Sequence, residues 1–152
     1  MLTLPEFVEF LKYVQANHQE IYRDIVEVRS PWRAEWIDAD FKLKDGKLHV
    51  NDYHVLDKNG KLIPRRSKLL QKNTLMKDKT PGISLDNWLA NPTKQGFPNK
   101  KIEAGSLYYW HPIRDNNSVT GFIADDNEIS LHCDRYPSNW DSNLGVRAAK
   151  VA

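Results

Sequence analysis

A chain of 152 residues is the usual size of one domain, and 40% apolar with 28% charged residues suits a soluble protein that buries a real core. No apolar run approaches the roughly 20 residues of a membrane-spanning helix, and the first residues lack the basic start and apolar stretch of a secretory signal. The single Cys133 excludes an intrachain disulfide framework and a four-cysteine zinc site. No membrane insertion is expected; synthesis in the cytoplasm fits, with later packing into a virion or display at a cell surface left open.

The N-terminus predicts a helix. Thr3 and Glu6 have capping-box spacing, and Pro5 falls in the first turn, where its missing N–H costs nothing. Apolar residues at Phe7, Phe10, Leu11, Val14, Ile21 and Ile25 form the stripe of a helix laid on a core, ending between Asn17 and Val28. Pro31 then breaks the chain before Trp32 and Trp36. Two hairpins follow, one around Asp45-Gly46 and one around Asn59-Gly60, each flanked by alternating residues. Beyond Pro64 no period is clear, and the stretch is read as a long, partly irregular crossing.

A second helix is expected over Ser84–Ala90, with Ser84 as N-cap, Asp86 in the first turn, and Leu85, Trp88 and Leu89 on one face. Asn91-Pro92 stops it. The remainder reads as strands: Leu107–Trp110, Val119–Ile123, Ile129–Cys133 and Leu144–Val151. No repeat or second boundary interrupts the chain, so residues 1–152 are expected to make a single α+β domain.

Charge is unevenly spread. From Lys58 to Lys79 there are eight basic residues and one acid, whereas Glu103 to Asn143 carries seven acids against Arg114 and Arg135. The basic run could contact phosphate backbones, which makes a nucleic-acid-binding protein using residues 58–79 the alternative reading. Its lack of interleaved aromatics favours a solvated crossing.

Motifs for chemistry are missing: there is no phosphate loop, dinucleotide fingerprint or nucleophile elbow. His49 and His54 lie around the hairpins, but no histidine shows ligand spacing. Cys133 alternates with Leu131 and Ile129 and reads as a buried thiol, while His132 beside it faces the other way. No enzyme, metal or cofactor is expected.

The informative stretch is 115–143, where sixteen of 29 positions are Asp, Asn, Ser, His or Tyr. Turn chemistry explains part of this. Yet Ile129-Ser130-Leu131-His132-Cys133-Asp134 keeps an apolar parity beside a polar one, and Tyr with small polar residues is the vocabulary of paratopes.

The segment Cys133-Asp134-Arg135-Tyr136-Pro137-Ser138-Asn139-Trp140-Asp141-Ser142-Asn143-Leu144-Gly145-Val146-Arg147 resembles the closing motif of C-type-lectin-fold proteins of the formylglycine-generating-enzyme-like branch. More narrowly, it resembles the variable proteins diversified by diversity-generating retroelements in phages, bacteria and archaeal viruses. The resemblance implies a C-type lectin fold, with two helices flanking small antiparallel sheets and the termini paired. It also implies a hypervariable region at about 115–147 that recognises a macromolecular ligand, a protein or a cell-surface component, rather than nucleic acid. The expected contact set is Asp126, Asn127, Ser130, His132, Asp134, Tyr136, Asn139 and Asp141, bordered by Trp110, His111 and Arg114.

Overall fold

The computed structural model describes residues 1–137 and the strand Leu144–Val146, and it corrects the expected architecture. The protein is mostly β, 42% strand against 20% helix, and a C-type lectin fold is not seen. The strands are β1 (Arg33–Lys44), β2 (Lys47–Leu56), β3 (Leu62–Leu69), β4 (Lys79–Ile83), β5 (Leu107–Trp110), β6 (Val119–Ala124), β7 (Ile129–Arg135) and β8 (Leu144–Val146). They join one mixed sheet in the order β3-β2-β1-β6-β7-β5-β4, with β8 beside β1. A lectin fold would need separate small antiparallel sheets. Here β5–β7 and β1–β8 are parallel, and every strand belongs to the same ladder. Backbone pairing of Val146 with Trp36 brings the late strand to β1, but one parallel contact does not remake the architecture.

The helices are α1 (Leu4–Asn17), α2 (Gln19–Val26) and α3 (Leu85–Ala90). The N-terminal stripe, expected as one helix, is broken at His18, whose backbone leaves the helical region. Thr3 N–H donates to the Glu6 carboxylate at 2.8 Å, so the N-terminal end is capped as its spacing suggests. Ser84 Oγ accepts from the Asn87 N–H at 3.1 Å and starts α3 in the same manner.

Two stretches taken for loop are strands. The run after Pro64 forms β3, and Lys79–Ile83 forms β4, within the stretch read as a break. Periodicity could not show either. As an edge strand β3 has no buried face to impose alternation, and its residues are almost all exposed. β4 pairs only through Lys79 and Ile83 with Tyr109 and Leu107.

All three helices contribute to one core. Leu4, Phe7, Val8 and Leu11 of α1, Ile25 and Val26 of α2, and Trp88 and Leu89 of α3 meet Ile37, Ala39, Phe41, Phe122, Leu131 and Cys133 of the sheet. The Phe7 and Phe122 rings lie 5.4 Å apart, and Trp88 stacks on Phe122 at 6.5 Å. Each such buried side chain stabilises by about 1.5–3 kcal/mol before entropy is counted. Because strand side chains alternate, this leaves Trp36, Asp38 and Asp40 of β1, Gly121 of β6, and Ser130 and His132 of β7 on the opposite face. Among the described residues no helix is long and apolar enough to cross a membrane.

Candidate functional site

The face away from the helices has a regular ground plan set by strand register. Trp36 pairs with Gly121, Gly121 with His132, and His132 with Trp110, so these four residues form a row across β1, β6, β7 and β5. Three strand spacings make the row about 14 Å long. A neighbouring row, Ala34, Ile123, Ser130 and Tyr108, supplies a floor in which the first three are buried.

The row is a set of fitted parts. His132 stacks on Trp110 with ring centroids 4.3 Å apart and planes 5° from parallel. Its Nδ1 lies 3.0 Å from the Asp134 carboxylate, two residues on and therefore on the same face. A bulge in β7 lets four residues, His132 to Arg135, span the three of β6 from Gly121 to Val119, and so turns Arg135 onto that face as well. Its guanidinium lies 5.6 Å from the Trp36 ring centroid. Gly121 leaves the crossing room: a Cβ there would stand 3.2 Å from Arg135 Cδ and 3.8 Å from Trp36. Beside the row, Trp32, Asp125, Asp126, Glu128, Ser130, His132 and Arg135 line a depression of about 330 Å³.

Of the expected contact set, the structure gathers Asp126, Ser130 and His132 around that depression, with Asp134 bonded to His132. Ser130, however, is 1% exposed, the floor rather than the surface. Asn127 opens into a different hollow with Val28, Pro81 and Tyr108. Tyr136 is half exposed, whereas Asn139 and Asp141 lie outside the described residues. Among the border residues only Trp110 joins the row. His111 is tied through its N–H to Asp78 at 3.0 Å, and Arg114 reaches Gly46 O in the β1–β2 turn at 3.0 Å. The basic run is not carried by one element. Arg65, Arg66 and Lys68 stand together on β3, Lys79 alone reaches β4 at the other end of the strand order, and Arg66 pairs with Asp52 and lies over the Tyr53 ring.

A second feature on this face was not foreseen. One edge of β1 changes neighbours along its length: β8 at Ala34–Trp36, Thr3 at Asp38, and β2 from Asp40 onward. Where β2 leaves, Tyr53 takes a left-handed backbone conformation, φ 53°, and the β1–β6 register slips between Ile37 and Asp40. The handover opens a cleft of about 330 Å³ with walls of Met1, Trp36, Leu62, Val119 and Pro137 and a floor of Asp38, Asp40 and His54. Asp38 accepts the His54 N–H at 3.1 Å and its Nδ1–H as well, and the other ring nitrogen lies 3.4 Å from Asp40. Held first by the Asp38 hydrogen bond and then by that to Asp40, against the opposing effect of burial, the imidazole titrates at about 9. It is a cation at neutral pH. The spacing Asp38-Ala39-Asp40 within an alternating apolar strand was the available signal, since it puts two charges on one face.

Cys133 is fully buried, and burial pushes its thiol far above the ordinary range, so it has no thiolate with which to react. Among the described residues no group of three His, Cys, Asp or Glu side chains is placed to hold a metal ion. No protein-family model matches the chain, and no curated protein or solved structure matches it either.

Proposed function

We propose that this protein is a recognition domain that takes a macromolecular ligand, a protein or cell-surface component, on the helix-free face of its sheet. The observation that carries the proposal is the row Trp36–Gly121–His132–Trp110 with Arg135 laid across it. Tryptophan and arginine are the residue types that dominate binding energy at interfaces, and here both tryptophans are half-buried on a face that no helix among the described residues covers. Core packing already belongs to the other face, so the fold itself does not require this investment in aromatic side chains. Diversification by a retroelement is a separate part of the proposal. It applies to the exposed Asp126, Asn127 and Tyr136 and not to the buried Ser130.

A photo-reactive residue at position 110, with one at the exposed Tyr13 on α1 as control, tests the reading in cells of the host. Adducts formed at 110 and not at 13, and lost with Arg135→Ala, are the expected result. Equal adducts at both positions, or none at 110, overturn it. Diversification predicts a near-copy of the 3′ end of the gene, differing at adenines, close to a reverse transcriptase gene.

A further inference from the structure

The cleft beside β1 contains an excess of acceptors. Asp40 Oδ1 is buried with no hydrogen-bond partner among the described residues, although the rest of its carboxylate reaches His54. Asn51, 3% exposed, pairs across the strands with Asp40 and so shares its face. Its Oδ1 is likewise buried and without a partner among the described residues. Asn51 stands outside the cleft lining, whereas the orphaned Asp40 oxygen belongs to it and calls for a donor, because a buried polar atom left unmatched keeps its full desolvation cost.

Charge points the same way. At neutral pH the floor holds two carboxylates, Asp38 and Asp40, against the single imidazolium of His54. Arg135, on the same face, is laid against the Trp36 ring. Above the floor the walls are apolar, and the exposed Leu56, paired with the lining Leu62, extends that character outward. Leu56 and Leu62 are directly paired across β2 and β3, and so are Val55 and Ile63. A cavity with an apolar shaft and an anionic base fits a long side chain that is aliphatic along its stem and charged at its tip.

We propose that this cleft receives a lysine or arginine side chain of the bound macromolecule, whose cationic head donates to Asp40 while its stem packs between Trp36, Leu62 and Val119. The inference rests on the recognition reading for the nature of the ligand; it shares Trp36 with the row but is made at the cleft floored by Asp38, Asp40 and His54. Its success or failure is read at Asp40, not at Trp110. The shared chemistry is a cationic N–H donor, and the two side chains are distinguished by experiment. A bare divalent cation is disfavoured because the floor already contains a protonated histidine.

The test is an NMR titration of the intact protein at neutral pH, following the Trp36 indole N–H and the His54 ring. The probes are capped Ala-Lys-Ala, Ala-Arg-Ala and Ala-norleucine-Ala peptides, and calcium chloride alone. Saturable shifts with the lysine or the arginine peptide, at least about tenfold weaker with norleucine, are expected. Asp40→Asn keeps the shape and removes the charge. It should weaken the cationic peptide by about the same factor while leaving the rest of the spectrum folded. Equal shifts with norleucine, saturation by calcium without the peptides, or no saturation by any basic peptide at millimolar concentration overturns the proposal. The peptide comparison stands even if Asp40→Asn does not fold. If it fails while photo-adducts still form at position 110, the cleft assignment falls and the recognition reading stands.

Discussion

The two faces of the sheet are made from the same strands yet follow different rules. On the helix face Phe41, Phe122 and Leu131 are essentially sealed, and they are fitted against helices that cannot be removed without exposing them. On the other face Trp36, Trp110 and His132 are only half-buried and touch one another or Arg135. Alternation in a strand sorts residues between these faces, but it does not say which face is wet. Polar residues stand deep on the open side, as Ser130 and Asp38 do, at 1% and 5% exposure. Parity and exposure are therefore separate properties.

Leu131→Asp should break the helix face outright. An unpaired carboxylate where exposure is zero costs several kcal/mol, about as much as a domain of this size has in total. Loss of near-ultraviolet circular dichroism at room temperature is the expected outcome, and a folded variant would mean that this face is not the core.

The next effect is on the open face and depends on pH. The His54 imidazole titrates at about 9 in the fold and near 6.5 when unfolded, so its bonds to Asp38 and Asp40 stabilise fully below about pH 6.5. That contribution, up to about 3 kcal/mol, is lost as pH rises through 9. Denaturant unfolding from pH 6 to 10 should show the decline, and His54→Gln should flatten it. A wild-type slope no steeper than the variant's would remove the buried pairing from the account.

The smallest effects sharpen the difference between facing outward and being exposed. Ser130→Tyr must force a ring into the floor of the depression and should cost about 1–3 kcal/mol. Tyr136→Asn, at a half-exposed position, should stay within about 0.5 kcal/mol. Equal shifts in melting temperature for the two would mean that the floor is open and that Ser130 belongs to a display surface after all.

Much of the local structure was legible in the residues. The capped start of α1, the Ser84 start of α3, the Asp45-Gly46 turn and the buried parity of Ile129, Leu131 and Cys133 all follow from interactions spanning a few residues. Within the expected contact set, His132 and Asp134 were legible as neighbours on one face. That Trp110 lies beside His132 was not, because their pairing joins two parallel strands through an intervening crossover. Arg135 was hidden by a bulge, and His54 meets Asp38 only where β2 leaves β1.

What the sequence determined by itself was therefore the local grammar: caps, turns, strand parity, and the absence of any catalytic motif. The tertiary structure alone decided that eight strands share one mixed sheet instead of the small antiparallel sheets of a lectin fold. It also decided that the stretch after Pro64 becomes an edge strand, and that a cleft opens where β1 changes partners. The physical reason is range. Caps and alternation are written in residues two to four apart, whereas strand order depends on which distant backbone edges satisfy each other's hydrogen bonds, and one residue's neighbours say nothing about that.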